Sequence, residues 1–139
     1  MNEKYRFTIP GKPFGKREPL KVGRFLRPHP LYTNYKERII SIFTTEYRRL
    51  CPTKGAVSIN ITAFFYIPAS TSKKKREAMI RGEIRPTTKP DLDNIMKAIG
   101  DSLSKIAWID DSQIVVASLS KYYSDRPRVE VEIEFLSKE

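Results

Sequence analysis

The chain has 139 residues, of which 40% are apolar and 30% charged, with a single cysteine and a formal net charge of +10. That length fits one domain with a real core. The lone Cys51 excludes an internal disulfide and a cysteine-built zinc site, and no run of about 18 apolar residues is present to span a bilayer.

The opening MNEKYRFTIP lacks the apolar stretch of a secretory signal, so a cytoplasmic location is expected. Lys4–Ile9 alternates and stops at Pro10-Gly11, which predicts a first strand. Residues 11–30 hold four prolines and three glycines and read as a loop, with His29 on its surface. A helix is expected over 33–50, capped by Thr33, with Tyr35, Ile39, Ile42, Phe43 and Tyr47 on its apolar face. Cys51 then reads as a small apolar filler near the helix end.

Residues 56–68 alternate from Val57 to Ile67 and predict a half-buried strand. A short basic helix over 70–83, closed by Gly82, precedes a third helix over 91–106 with Asp91 at its N-cap. Leu92, Ile95, Met96, Ile99, Leu103 and Ile106 form the core-facing stripe of that third helix. Strands over 113–123 and 128–135, joined by SDRP, are expected to pair as an antiparallel hairpin. The order β-α-β-α-α-β-β predicts an α+β fold, a single domain over 1–139 with a mixed sheet packed against helices.

The positive charge is confined to two segments. Residues 11–27 carry Lys12, Lys16, Arg17, Lys21, Arg24 and Arg27 against one acid. Residues 73–89 carry Lys73, Lys74, Lys75, Arg76, Arg81, Arg85 and Lys89 against two. Elsewhere the charges balance. Two local basic arms point to a polyanion, nucleic acid above all, although solvated loops have the same composition.

Acids gather where the basic arms do not. Asp91 and Asp93 are followed by Lys97 and Asp101, a polar row at helical spacing, and Asp110-Asp111 closes the turn before the next strand. Converging carboxylates repel and must take up protons or a cation, and oxygen-only ligands suit Mg²⁺ or Mn²⁺. Structural duties explain each piece separately: a helix cap, an ion-pair ladder, a turn. Glu130, Glu132 and Glu134 alternate with apolar residues and need only a solvated strand face. Trp108 reads as a core anchor that fixes the acidic turn.

The segment KPDLDNIMKAIGDSLSKIAWIDDSQI, residues 89–114, resembles the signature of the RusA family of Holliday-junction resolvases of bacteria and their phages. A weaker likeness covers the whole chain, including the basic loop PGKPFGKREP. The resemblance implies a RusA-like fold. It implies a homodimeric, Mg²⁺-dependent endonuclease (Mn²⁺ substituting) that nicks four-way DNA junctions symmetrically in recombination and repair. By position it places the essential acids on Asp91, Asp93 and Asp111 and the essential lysine on Lys97, with Asp101 and Asp110 at further acidic positions. The spacing between the acidic motifs is one residue shorter than in some members, which leaves Asp110 as the alternative to Asp111. The competing reading from the residues is a non-catalytic, structure-selective DNA-binding protein.

Overall fold

Alternation of apolar and polar residues sets the centre of the computed structural model, which describes residues 3–48 and 51–136. In chain order its elements are strand β1 (Glu3–Pro10), strands β2 (Leu20–Val22) and β3 (Phe25–Arg27), helix α1 (Pro30–Glu46), strand β4 (Val57–Tyr66), helices α2 (Lys73–Ile80) and α3 (Leu92–Leu103), and strands β5 (Ile114–Ser124) and β6 (Arg128–Phe135). Four strands form one mixed sheet in the order β1-β6-β4-β5, antiparallel except for the parallel β4–β5 pair. The fold is α+β, as the element pattern predicts.

Period-two burial aligns the inward side chains of β1, β4 and β6. Phe7 and Ile9 of β1, Val57 to Phe65 of β4, and Val129, Val131 and Ile133 of β6 all lie in one buried cluster. Helix α1 closes over it with Tyr32, Tyr35, Ile39 and Phe43, and α3 with Ile95, Ala98, Ile99 and Leu103. Trp108 is fully buried beside them. The outward face of β6 carries Glu130 and Glu132 into ion pairs with Arg128 and Arg6, which suits the solvated face expected of that strand. Helix α2 buries only Met79 and lies against β5. Among the described residues no helix is long and apolar enough to cross a membrane.

Several expectations need correction. β5 and β6 do not pair with each other, because β4 lies between them. The short connection 125–127 passes over the end of β4, a step of two strand spacings or about 10 Å that so few residues can span. Residues 11–30 are not wholly loop, since β2 and β3 form a small hairpin. Helix α1 starts at Pro30 rather than at a Thr33 cap. Proline is accommodated at the first helical position, and His29 caps the helix by accepting from the Leu31 N–H at 3.3 Å.

That helix ends at Glu46, and Tyr47 is diverted to the sheet. Its hydroxyl accepts from the Arg6 N–H at 3.0 Å and donates to the Arg6 carbonyl at 2.8 Å, which occupies part of the open edge of β1. Residues 49 and 50, expected within this helix, lie outside the described residues. Cys51 is exposed, not an apolar filler. The last turn of the expected 91–106 helix is replaced by a bend, with Ser104 as the C-cap and Lys105 at φ 75°.

Ile61 is fully buried in β4, with β6 on one side and β5 on the other. Ile61→Ala should cost about 2–5 kcal/mol in denaturant unfolding, the usual range for emptying such a site. A loss well below this range would mean that the sheet centre is not packed as described.

Candidate functional site

The apolar stripe of α3 is turned into the core, so the residues between its teeth face outward. Asp91 stands at the N-cap position, yet its side chain makes no capping hydrogen bond. It is exposed, and so is Asp93 in the first turn. Lys97 lies one turn on, its Nζ 3.8 Å from Asp93 Oδ2, a loose and well-solvated pair.

The first basic segment is fastened beside this helix end. The Lys16 N–H donates to the Asn94 carbonyl at 3.0 Å. A Cβ on Gly15 would lie 2.9 Å from both the Asn94 and the Pro90 Cβ atoms, so only glycine allows the loop to approach this closely. Loop and helix start enclose a groove of about 640 Å³ lined by Lys12, Lys16, Arg17, Lys89, Asp91 and Asn94, among others. Arg17 is further settled over the Phe14 ring, 4.6 Å from its centre.

The two aspartates of the downstream turn have different surroundings. Asp110 caps a single 3₁₀ turn over Asp111–Gln113, accepting from the Ser112 N–H at 2.9 Å, while the Gln113 side chain accepts from the Asp110 N–H at 2.8 Å. Hydrogen bonding from Ser112 holds the Asp110 carboxyl below the usual carboxylate range. Asp111 accepts instead from the indole N–H of buried Trp108 at 2.8 Å. Its carboxylate lies over Gly100 of α3, where a Cβ would come within 3.1 Å of Oδ2. Lys97 and Gly100 are i and i+3 on α3. Trp108 is therefore both core anchor and donor to the acidic turn.

Not every acid joins this arrangement. Asp101 accepts from the hydroxyl of Tyr32 at 2.6 Å and is tied to α1, and burial together with Asp101 raises the Tyr32 phenol. Asp91 and Gly100 are nine residues apart, about 14 Å along the helix axis, so the Asp111 carboxylate lies well down the helix from Asp91. Among the described residues no group of three His, Cys, Asp or Glu side chains stands ready to hold a metal ion unaided.

The other basic residues expected to meet DNA fall into three places. Lys21, Arg24 and Arg27 lie on the β2–β3 hairpin. Lys73, Lys74 and Lys75 are exposed at the start of α2, where Arg76 pairs with Asp125 at 3.1 Å. Arg85 is committed to the sheet, stacked 3.8 Å from the Tyr122 ring centre and bonded to the Lys121 carbonyl. Sequence reasoning passed over Gly15, Asn94 and Gly100. A glycine set among bulky or charged neighbours, as in PFGKRE and KAIGDS, is the local sign of a close approach that could have found two of them.

A sequence profile described as endodeoxyribonuclease RusA matches residues 10–134. The chain is 35% identical over 137 residues to the uncharacterised protein YqaN of Bacillus subtilis (strain 168), covering 95% of this chain and 96% of that protein. It is 44% identical over 48 residues to the crossover junction endodeoxyribonuclease rusA of Lactococcus phage r1t, covering 34% and 37% of the two chains.

The lowered Asp110 value has a consequence for stability. A depressed carboxyl contributes stability above its unfolded value of about 3.9, and that contribution disappears as pH falls through the folded value. Asp110→Ala should therefore melt below the native chain at pH 7, and the gap should narrow towards about pH 3. A gap that stayed constant across this range would show that the carboxylate does not hold the turn.

Proposed function

The chain belongs to the RusA family of endodeoxyribonucleases, and from that membership we propose that it resolves four-way DNA junctions by paired symmetric nicks that depend on a divalent ion. The observation that carries this reading is the groove lined by Lys12, Lys16, Arg17 and Lys89 together with Glu18 and the uncapped Asp91. Cations on both walls suit a phosphodiester backbone. An acid in their midst is of no use to simple phosphate binding, because it repels the ligand.

The donor set fits Mg²⁺ or Mn²⁺. All the candidate ligands are carboxylate oxygens, and Mg²⁺ is commonly held by one or two carboxylates with substrate phosphate and water completing the shell. Asp91 and Asp93 are the residues that would hold it; Asp111, about 14 Å along the axis of α3 from Asp91, would lie too far away to share the same ion. When bound, the ion offsets the repulsion between phosphate and acids and activates water for attack. Asp91 makes no capping bond that binding would break. Trp108 orients Asp111 through its indole N–H, and Lys97, one turn from Asp93, adds positive charge beside the scissile phosphate. Asp110 remains in its turn and Asp101 on Tyr32, so neither is assigned to the ion.

Two nicks related by symmetry call for two sites, which a two-fold homodimer supplies. The first half of edge strand β5, with Val115 and Val116 exposed, offers apolar surface and main-chain groups to a second copy. Junction selection then rests on branch geometry and on the spacing of basic surfaces, in the service of recombination and repair.

Asp91→Asn is the direct test. Cleavage of a four-way junction should fall roughly 100-fold or more, the scale of losing one transition-state-stabilising group. Junction binding in the same variant should be kept or tightened, since a negative charge leaves the phosphate groove. Native cutting by this variant would remove the aspartate from the chemistry.

A further inference from the structure

The β2–β3 hairpin contradicts the rule that governs the rest of the chain. Phe25 is 71% exposed and Leu26 72%, with Leu20 and Val22 also open to solvent, and none of them joins the core. A two-stranded hairpin without packing is marginal in water, and exposed apolar side chains add a risk of aggregation. Its backbone is nonetheless well specified. Leu20 faces Arg27, Lys21 faces Leu26 and Val22 faces Phe25 across an antiparallel pair, and Gly23 at φ +61° makes the two-residue turn.

The alternation of side chains makes the hairpin apolar on both sides. Leu20, Val22 and Phe25 share one face with Arg27, while Leu26 shares the other with Lys21. Arg24 is at the tip, and residues 19–30 contain no acid. A hairpin designed to lie on a protein surface needs only one apolar face. An element with three apolar side chains on one face, Leu26 on the other and basic groups on both fits between two apolar surfaces bordered by phosphates. The end base pairs of neighbouring arms at a DNA branch are such surfaces.

The hairpin is also tied to the groove. Lys16 is bonded to Asn94, and the Gly23-Arg24 tip lies seven or eight residues further on, within about 25 Å even for extended chain. We propose that this hairpin is a branch-reading wedge, with Phe25 and Leu26 stacking on the base pairs exposed at the crossover and Lys21, Arg24 and Arg27 on the flanking phosphates. The proposal rests on the junction-resolving reading and supplies its source of selectivity.

The test compares binding of the full chain to a labelled four-way junction and to linear duplex of the same arm sequence, in metal-free buffer so that cleavage plays no part. Phe25→Ser/Leu26→Ser should lose about tenfold or more in junction affinity, in line with base–aromatic stacking, while duplex affinity and thermal unfolding stay native. Phe25→Trp should keep the selectivity. Lys21→Ala/Arg24→Ala/Arg27→Ala should weaken both DNAs together and flatten the salt dependence.

Unchanged junction preference in the double-serine variant would overturn the wedge and leave the functional reading intact. Loss of self-association by that variant in analytical ultracentrifugation, with the junction-to-duplex ratio unaltered, would make the hairpin a contact between copies and overturn it too. A native chain that shows no preference for junctions would overturn the functional reading itself, and the wedge with it.

Discussion

Burial of one stripe of α3 is the constraint on which the candidate site depends. Ile95, Ile99 and Leu103 are held in the core against α1 and the sheet, and their burial is worth several kcal/mol in total. That fixes the rotation of the helix. Asp91, Asp93 and Lys97 must then face solvent, and Gly100 must meet whatever follows the bend at Ser104. The same core holds Trp108, whose indole N–H sets the direction of Asp111. Acids that repel one another are thus positioned by apolar groups that gain from packing. The repulsion is spread along a rigid element instead of being relieved by movement.

Much of this was legible in the residue pattern, because period two and period 3.6 are local properties. The alternation in Val57–Phe65 and Val129–Ile133, the stripe of α3 and the anchoring role of Trp108 all follow from side-chain spacing. Strand neighbours do not. The SDRP turn looks like a hairpin connection, and nothing within 113–135 reveals that β4 will lie between the two strands. The start of α1 was obscured for a similar reason. Pro28 and Pro30 read as loop markers until His29 is seen to supply the cap.

The acids show the same division. Spacing puts Asp91, Asp93 and Lys97 on adjacent turns, but it cannot rank Asp110 against Asp111. The distinction comes from the folded geometry of the turn: Ser112 and Gln113 retain the first within it, and Trp108 and, from α3, Gly100 receive the second. Charge segregation was visible as two basic segments, yet their duties differ. The first lies against the start of α3, whereas Arg76 and Arg85 in the second fasten α2 and its following segment to the sheet. Membership of an endodeoxyribonuclease family gives this division a rationale. On the proposed reading, cations beside Asp91 would meet the phosphate that is cut, and cations elsewhere would secure the arms of the substrate.

The central claim is that the groove at Asp91 cuts branched DNA with the help of a divalent ion. The most direct measurement incubates the native chain with an end-labelled four-way junction and with linear duplex of the same sequence, each with and without Mg²⁺. The account predicts paired nicks at symmetric positions, in the junction alone and only with the ion. Equal cutting of the linear duplex, or cutting of the junction in the presence of a chelator, would contradict it.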